Sequence, residues 1–178
     1  MRGLRAAGNP GRRSRLRRLG IALLVLALAL LALDRLFPLP LPVAGGGSVI
    51  VTADDGTPLR AFAGAGGVWR YPVAVEAVSP LYVQALVGYE DRWFWRHAGI
   101  NPVALLRAGW QWLRHGRVVS GGSTLSMQVA RILQPRRRSI SGKLVQMLRA
   151  LQLEAHLSKR EILALYLNHA PFGGTIEG

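Results

Sequence analysis

The sequence predicts a mainly α domain carried behind an N-terminal membrane-spanning helix and a small β-hairpin. Three observations predict it. An arginine-rich tail runs straight into residues 19–33, a stretch with no polar side chain. Two β-rich segments flank a turn signal at Asp54, Asp55 and Gly56. From residue 79 onward helix start signals recur, and no strand pattern interrupts them. The implied organisation is a basic cytoplasmic tail over 1–18, a transmembrane anchor over 19–37, a linker and β-hairpin over 38–75, and the functional domain over 76–178.

The 178 residues suffice for one domain with appendages, and a hydrophobic share of 50% supports a real core. Lys and Arg number 23 against 9 Asp and Glu, a net charge of +14. Seven arginines (Arg2, Arg5, Arg12, Arg13, Arg15, Arg17 and Arg18) fall in the first 18 residues with no acid among them, so half of the +14 belongs to the tail. There is no cysteine, which excludes a disulfide scaffold, a thiolate zinc site and a cysteine nucleophile.

Residues 19–37 make roughly 28 Å of helix, close to the thickness of the hydrocarbon core if Asp34 and Arg35 sit at the outer interface. The arginine cluster then stays cytoplasmic and everything after residue 38 lies outside. A cleaved signal peptide is the competing reading, with Ala44, Gly45 and Gly46 as small residues for cleavage. A nucleic-acid arm fits poorly, because the apolar run follows the basic cluster directly. Residues 38–47 alternate Pro and Leu and then turn to Gly, which reads as a linker. Residues 48–52 and 59–62 pair as the hairpin.

Five helices follow. Ser79 and Pro80 open the first, with Leu81, Ala85 and Leu86 at helical spacing as far as Glu90 and Asp91. Asn101 and Pro102 open the second, with Val103, Leu105, Leu106, Trp110 and Leu113 running to a stop at Gly116. Ser123 opens the third, which Pro135 ends. Lys143 to His156 is the fourth. Ser158 and Glu161 form a capping box for the fifth.

Carboxylates are scarce after residue 79: Glu90, Asp91, Glu154, Glu161 and Glu177. Glu161 has its cap to make, and Glu154 reads as a solvated or ion-paired side chain. Glu90 and Asp91 end an apolar helix and are followed by Trp93, Phe94, Trp95 and His97. Aromatic walls that desolvate a carboxyl suit it to general-base work. An exposed helix terminus is the plainer reading, and a packed or capping role is the plainer one for His97. Trp93, Phe94 and Trp95 cannot all face inward, so at least one lines a cleft or meets membrane. Gly121, Gly122, Ser123 and Thr124 precede a helix and offer a cradle for an anion, or simply an N-cap by Ser123. They are no Walker loop, since no Gly-Lys-Ser/Thr follows. Arg131 and Lys143 flank the run Arg136 to Arg138 and are the better candidates for gripping a phosphate. One carboxylate with several cations suits attack at a carbon bearing a phosphate leaving group.

These residues carry a resemblance. The stretch from Glu90 to Gly99 resembles E-D-x-x-F-x-x-H-x-G, the first motif of the peptidoglycan glycosyltransferases of family 51, the lysozyme-like domain of class A penicillin-binding proteins. Gly121 to Gln128 resembles the second, G-G-S-T-x-T-Q-Q. Lys143 and Gln146 fall where the third, R-K-x-x-E, is expected, and Ser158 to Asn168 resembles the fourth. The match covers about residues 76–178 in the right order.

The resemblance implies polymerisation of lipid II outside the cytoplasmic membrane, with release of undecaprenyl diphosphate and inversion. Glu90 takes the role of general base. Thr124, Gln128, Arg131, Lys143 and Gln146 match positions around the donor's diphosphate, and Ser123 shapes that loop. Asp91, Phe94 and His97 support the first motif. The implied partners are lipid II, the growing glycan chain, the membrane and other cell-wall synthesis proteins, with no nucleic acid. No organic cofactor is implied, and a divalent metal, Mg or Mn, belongs to the family picture. Gly142 and Gln146 replace the arginine and glutamate of the third motif, and Ser126 and Met127 change the second. Those departures resemble the 1C type. A glutamine cannot offer a metal negative charge or serve as a second acid, so Glu90 carries the acid–base work alone. The match also leaves the expected domain C-terminally incomplete, with no transpeptidase motifs, so the chain alone is expected to be weakly stable and inactive. Two rivals remain: a lytic muramidase, and a membrane-anchored scaffold that binds lipid II without turnover.

Overall fold

The computed structural model describes residues 10–42, 47–117 and 121–178. The expectations placed on Arg2 and Arg5, on the side chains of Arg12 and Arg13, and on the small residues Ala44 to Gly46 lie outside what it describes. The chain divides into two compact units, 1–38 and 39–178.

The first unit is one helix, α1 (Pro10–Leu36). It starts inside the basic segment, earlier than the apolar run alone predicts. Proline is tolerated in a first helical turn because its missing N–H has no partner to lose there. The span Arg17–Leu36 contains an 18-residue window of mean hydropathy 2.3 and is long and apolar enough to cross a membrane.

The second unit is mainly helical. The hairpin is β1 (Val49–Thr52) with antiparallel β2 (Pro58–Phe62), in the register Val49 opposite Phe62 and Val51 opposite Arg60. After β3 (Trp69–Arg70) come α2 (Pro80–Glu90), α3 (Pro102–His115), α4 (Leu125–Leu133), α5 (Ile140–His156) and α6 (Lys159–His169). Two short strands close the chain, β4 (Pro171–Gly173) and β5 (Ile176–Glu177). They correct the expectation of an uninterrupted helical run. β5 lies parallel to β3 and antiparallel to β4, and the Arg70–Glu177 ion pair fastens the outer pairing. Strands of two and three residues leave no periodicity to read, and β3 meets its partner only after five intervening α-helices.

The segment expected to be linker is built into this unit. Leu39, Val73 and Val75 pack against the core. The Asn168 side chain exchanges two hydrogen bonds with the backbone of Val73, at 2.7 and 2.9 Å, as a strand neighbour would.

The core forms around α4, which buries Leu125, Ser126, Met127, Val129 and Ala130 against α5 and α6. Phe94, Leu153, Ile162 and Leu163 complete it, with no exposed surface. From α2 the buried residue is Val87, with Val83 and Leu86 partly covered, whereas Leu81 is exposed. The larger difference is α3. Val103, Leu106, Trp110 and Leu113 follow helical spacing, yet they form an exposed stripe. Its covered side is the small-residue side, where Ala104, Leu105 and Ala108 meet Gly122 so closely that a Cβ on that glycine would stand 3.1 Å from Leu105 and 3.3 Å from the Ala104 carbonyl.

Candidate active site

Glu90 is the last residue of α2, and Asp91 caps the helix. The two carboxylates part company there. Asp91 turns inward and is buried. One of its oxygens accepts from the Leu125 backbone N–H at 3.0 Å and meets His97 Nε2 at 2.8 Å. His97 Nδ1 in turn accepts from the Gly99 N–H at 3.1 Å, so the ring's proton sits on Nε2 and points at Asp91. The N-terminus of α4 thus already holds an anion, and it is Asp91. Phe94 packs behind this group in an edge-to-face contact with Trp95 at 4.9 Å, while Trp93 and Trp95 stay half exposed. One ring in and two out agrees with the sequence expectation, but the buried ring lies in the core.

Thr124 caps α4 in place of Ser123. Its hydroxyl donates to the Gly99 carbonyl at 2.6 Å and accepts from the Met127 N–H at 3.2 Å. The side chain is buried, so its hydroxyl serves the loop rather than the cradle expected of it. The Leu125 and Met127 N–H groups are taken up within the fold as well. Ser123 is half-buried and free of capping duty. Its oxygen accepts from the Lys143 ammonium across the gap between α4 and α5.

Gln128 lies one turn along α4, and its amide nitrogen donates to Glu90 Oε2 at 2.7 Å. Arg131 follows after another turn, exposed. Glu90, Gln128 and Arg131 therefore share a side of α4. Tyr166 reports the same neighbourhood: burial raises its pKa first, the Glu90 carboxylate and Tyr82 add to that, and Arg131 opposes them.

Beyond Arg131 a cleft of about 470 Å³ opens between α4, α5 and their connecting loop. Arg131, Arg136, Arg137, Arg138, Lys143 and Arg149 line it. Ser139 caps α5, which begins at Ile140, a turn earlier than the expected Lys143. Gly142 must be small there, since a Cβ would stand 2.5 Å from the Arg137 carbonyl. The Lys143 ammonium is half-buried, and its pKa is lowered by burial first and by Arg131 second. Gln146 also lines the cleft but gives its amide N–H to the Met127 carbonyl at 2.6 Å. Among the described residues no cluster of three or more histidine or carboxylate groups could hold a metal ion.

One buried cluster escaped the sequence reading. Glu154 accepts from the Ser126 hydroxyl and pairs with Lys159 at 2.6 Å. The Lys159 ammonium also donates to the His97 carbonyl at 2.6 Å and lies 4.5 Å from the centre of the Phe94 ring. Of the two roles weighed for Glu154, the ion-paired one is found, and it is buried. The available signal was Ser126, a small hydroxyl on the inner face of a core helix, which needs a polar partner.

The family model described as transglycosylase matches residues 55–178. The chain belongs to the transglycosylase family. It is 59% identical over 160 residues to penicillin-binding protein 1C of Escherichia coli, a match that covers 90% of this chain and 21% of that protein. Penicillin-binding protein 1A of Aquifex aeolicus is 37% identical over 110 residues, 61% of this chain and 15% of the relative. The biosynthetic peptidoglycan transglycosylase of Nitrosospira multiformis is 35% identical over 112 residues, 60% of this chain and 46% of the relative. The chain is thus similar to the 1C type of class A penicillin-binding protein, and it spans about a fifth of the length of that relative.

Proposed function

We propose that this chain carries the glycosyl-transferring site of a peptidoglycan polymerase that uses lipid II, with Glu90 as general base. The observation that carries the reading is the alignment along α4: a carboxylate tethered by Gln128, then Arg131, then a cleft of cations. Gln128 engages one oxygen of Glu90, and among the described residues the other has no partner. That oxygen takes the proton from the 4-hydroxyl of the acceptor sugar as the hydroxyl oxygen attacks the anomeric carbon of the donor. The new C–O bond forms as the bond from that carbon to the diphosphate oxygen breaks, with inversion. Undecaprenyl diphosphate leaves into the cleft, where Arg131 and Lys143 meet its charge. Ser123 aims Lys143 through its hydrogen bond. Asp91, His97 and Phe94 hold the backbone next to Glu90, and Thr124 sets the loop before α4. Gln146 supports α4 from the cleft wall.

The membrane assignment follows from α1 and from lipid II being embedded itself. The arginine-rich segment before the apolar run favours a cytoplasmic N-terminus, with the helical unit outside the cytoplasmic membrane. Further partners would be other cell-wall synthesis proteins. The division into tail 1–18, anchor 19–37, connecting segment 38–75 and catalytic portion 76–178 is part of the same proposal.

A lytic muramidase would also use one glutamate, but it has no need of a six-cation cleft. The test is lipid II polymerisation by Escherichia coli penicillin-binding protein 1C with the matching residues replaced by this chain, since the chain alone is expected to be inactive. Polymer should form with the wild-type sequence and vanish with Glu90→Gln while lipid II binding persists. Polymer that survives Glu90→Gln, or cleavage of finished glycan strands, would refute the reading.

A further inference from the structure

A site that releases diphosphate must neutralise it, and the cleft between α4 and α5 does so with a distinctive donor set. Arg131, Arg136, Arg137, Arg138, Arg149 and Lys143 line it, and no carboxylate does. Gln146 presents an amide there, and its N–H is bonded to the Met127 carbonyl. The carboxylates of α2 and α5 stay out of the lining: Asp91 is held by Leu125 and His97, Glu154 by Ser126 and Lys159, and Glu90, with one oxygen on Gln128, keeps the other for its proton. Magnesium and manganese take oxygen ligands, carboxylates above all. An ion in this cleft would find only amide, hydroxyl and carbonyl oxygens, and it would face six like charges. The residues do not fit a divalent metal. They fit the anion itself. Burial and Arg131 already weaken the hold of Lys143 on its proton, a crowding that an incoming anion relieves.

We propose that the cleft neutralises a lipid diphosphate with its own arginines and Lys143, and that it does so without divalent metal. The inference rests on the reading of the site as a diphosphate-releasing transferase. Magnesium then acts as a competitor, because it pairs with diphosphate in solution and lowers the charge available to the guanidinium groups.

Equilibrium binding of inorganic diphosphate and of undecaprenyl diphosphate to the full chain in detergent tests this, once in excess EDTA and once in excess magnesium. Binding should persist in EDTA and weaken when magnesium is added. Exchanging both Arg136→Gln and Arg138→Gln should weaken it about tenfold in EDTA, the scale of a lost charge-assisted contact. Gln146→Glu puts a carboxylate into the cleft and should reverse the sign, so that magnesium strengthens binding. If magnesium still weakens binding in that variant, the donor-set argument is overturned. Binding to the wild-type chain that requires magnesium overturns the inference and leaves the transferase reading standing. Binding in neither condition overturns both.

Discussion

Gly99→Ala should destabilise the helical unit severely, and the structure says by how much. Gly99 has φ +88°, a region an L-residue enters at a cost of about 1–2 kcal/mol. A Cβ there would stand 2.7 Å from the Ala150 carbonyl oxygen, 2.9 Å from its carbon and 3.1 Å from Glu154 Cγ. Two of those atoms are backbone in the middle of α5 and cannot swing aside. Relieving the overlap means moving a helix or the loop, which adds about 1–3 kcal/mol. The sum, about 2–5 kcal/mol, is a large share of a margin of about 5–15 kcal/mol. Urea unfolding followed by tryptophan fluorescence reads the right unit, because all 5 tryptophans lie beyond residue 38. Gly109→Ala is the control. It sits in α3 with nothing within 4 Å of a Cβ and should stabilise by about 0.5–1 kcal/mol. A Gly99→Ala protein within about 0.5 kcal/mol of wild type would show that this contact does not constrain the loop, and the steric argument would fall.

Three further outcomes are expected. Lys159→Met leaves the Glu154 carboxylate buried beside Ser126 without its cation, a loss of about 3–5 kcal/mol, and adding Glu154→Gln should recover part of it in a double-mutant cycle by urea unfolding. Asp91→Asn removes the charged acceptor for the Leu125 N–H at the start of α4 and should cost about 1.5–3 kcal/mol by the same measurement, with the deficit unchanged by salt because the group is buried. His169 titrates below its ordinary 6.5, through burial first and Arg70 second, with Glu177 opposing. The folded state therefore favours the neutral ring. Its contribution is complete above pH 6.5 and is lost as pH falls from there through the folded-state value, where the unfolded chain binds the proton more readily. Unfolding midpoints across that window should flatten in His169→Gln, and an unchanged slope would rule His169 out as the source.

Much of the helical unit could be read from its punctuation. Pro80 and Pro102 in first turns, Asn101 as a cap, Gly116 at φ +63° and the Ser158–Glu161 box all act within one turn of chain, so local chemistry decides them. The roles of individual polar groups were less legible. Ser123 and Thr124 are both competent caps, and only the distant Gly99 carbonyl and Lys143 ammonium sort one into the loop and the other toward the cleft. Apolar spacing was misleading in α3, because periodicity shows that a helix has an apolar side and not which partner covers it. Strand β3 depends on pairing with β5 across most of the unit, β4 and β5 pair over only a few residues, and nothing in stretches so short announces either.

The span of these contacts has a consequence for how the protein is made. Lys159, which steadies the His97 carbonyl, emerges 62 residues after it, and Asn168 reaches Val73 across 95. A chain delivered N-terminus first has Glu90 in hand long before anything can hold its surroundings still. The surroundings of Glu90 are ordered only once α6 has emerged and docked, so this part of the fold stays open until its far contacts can form.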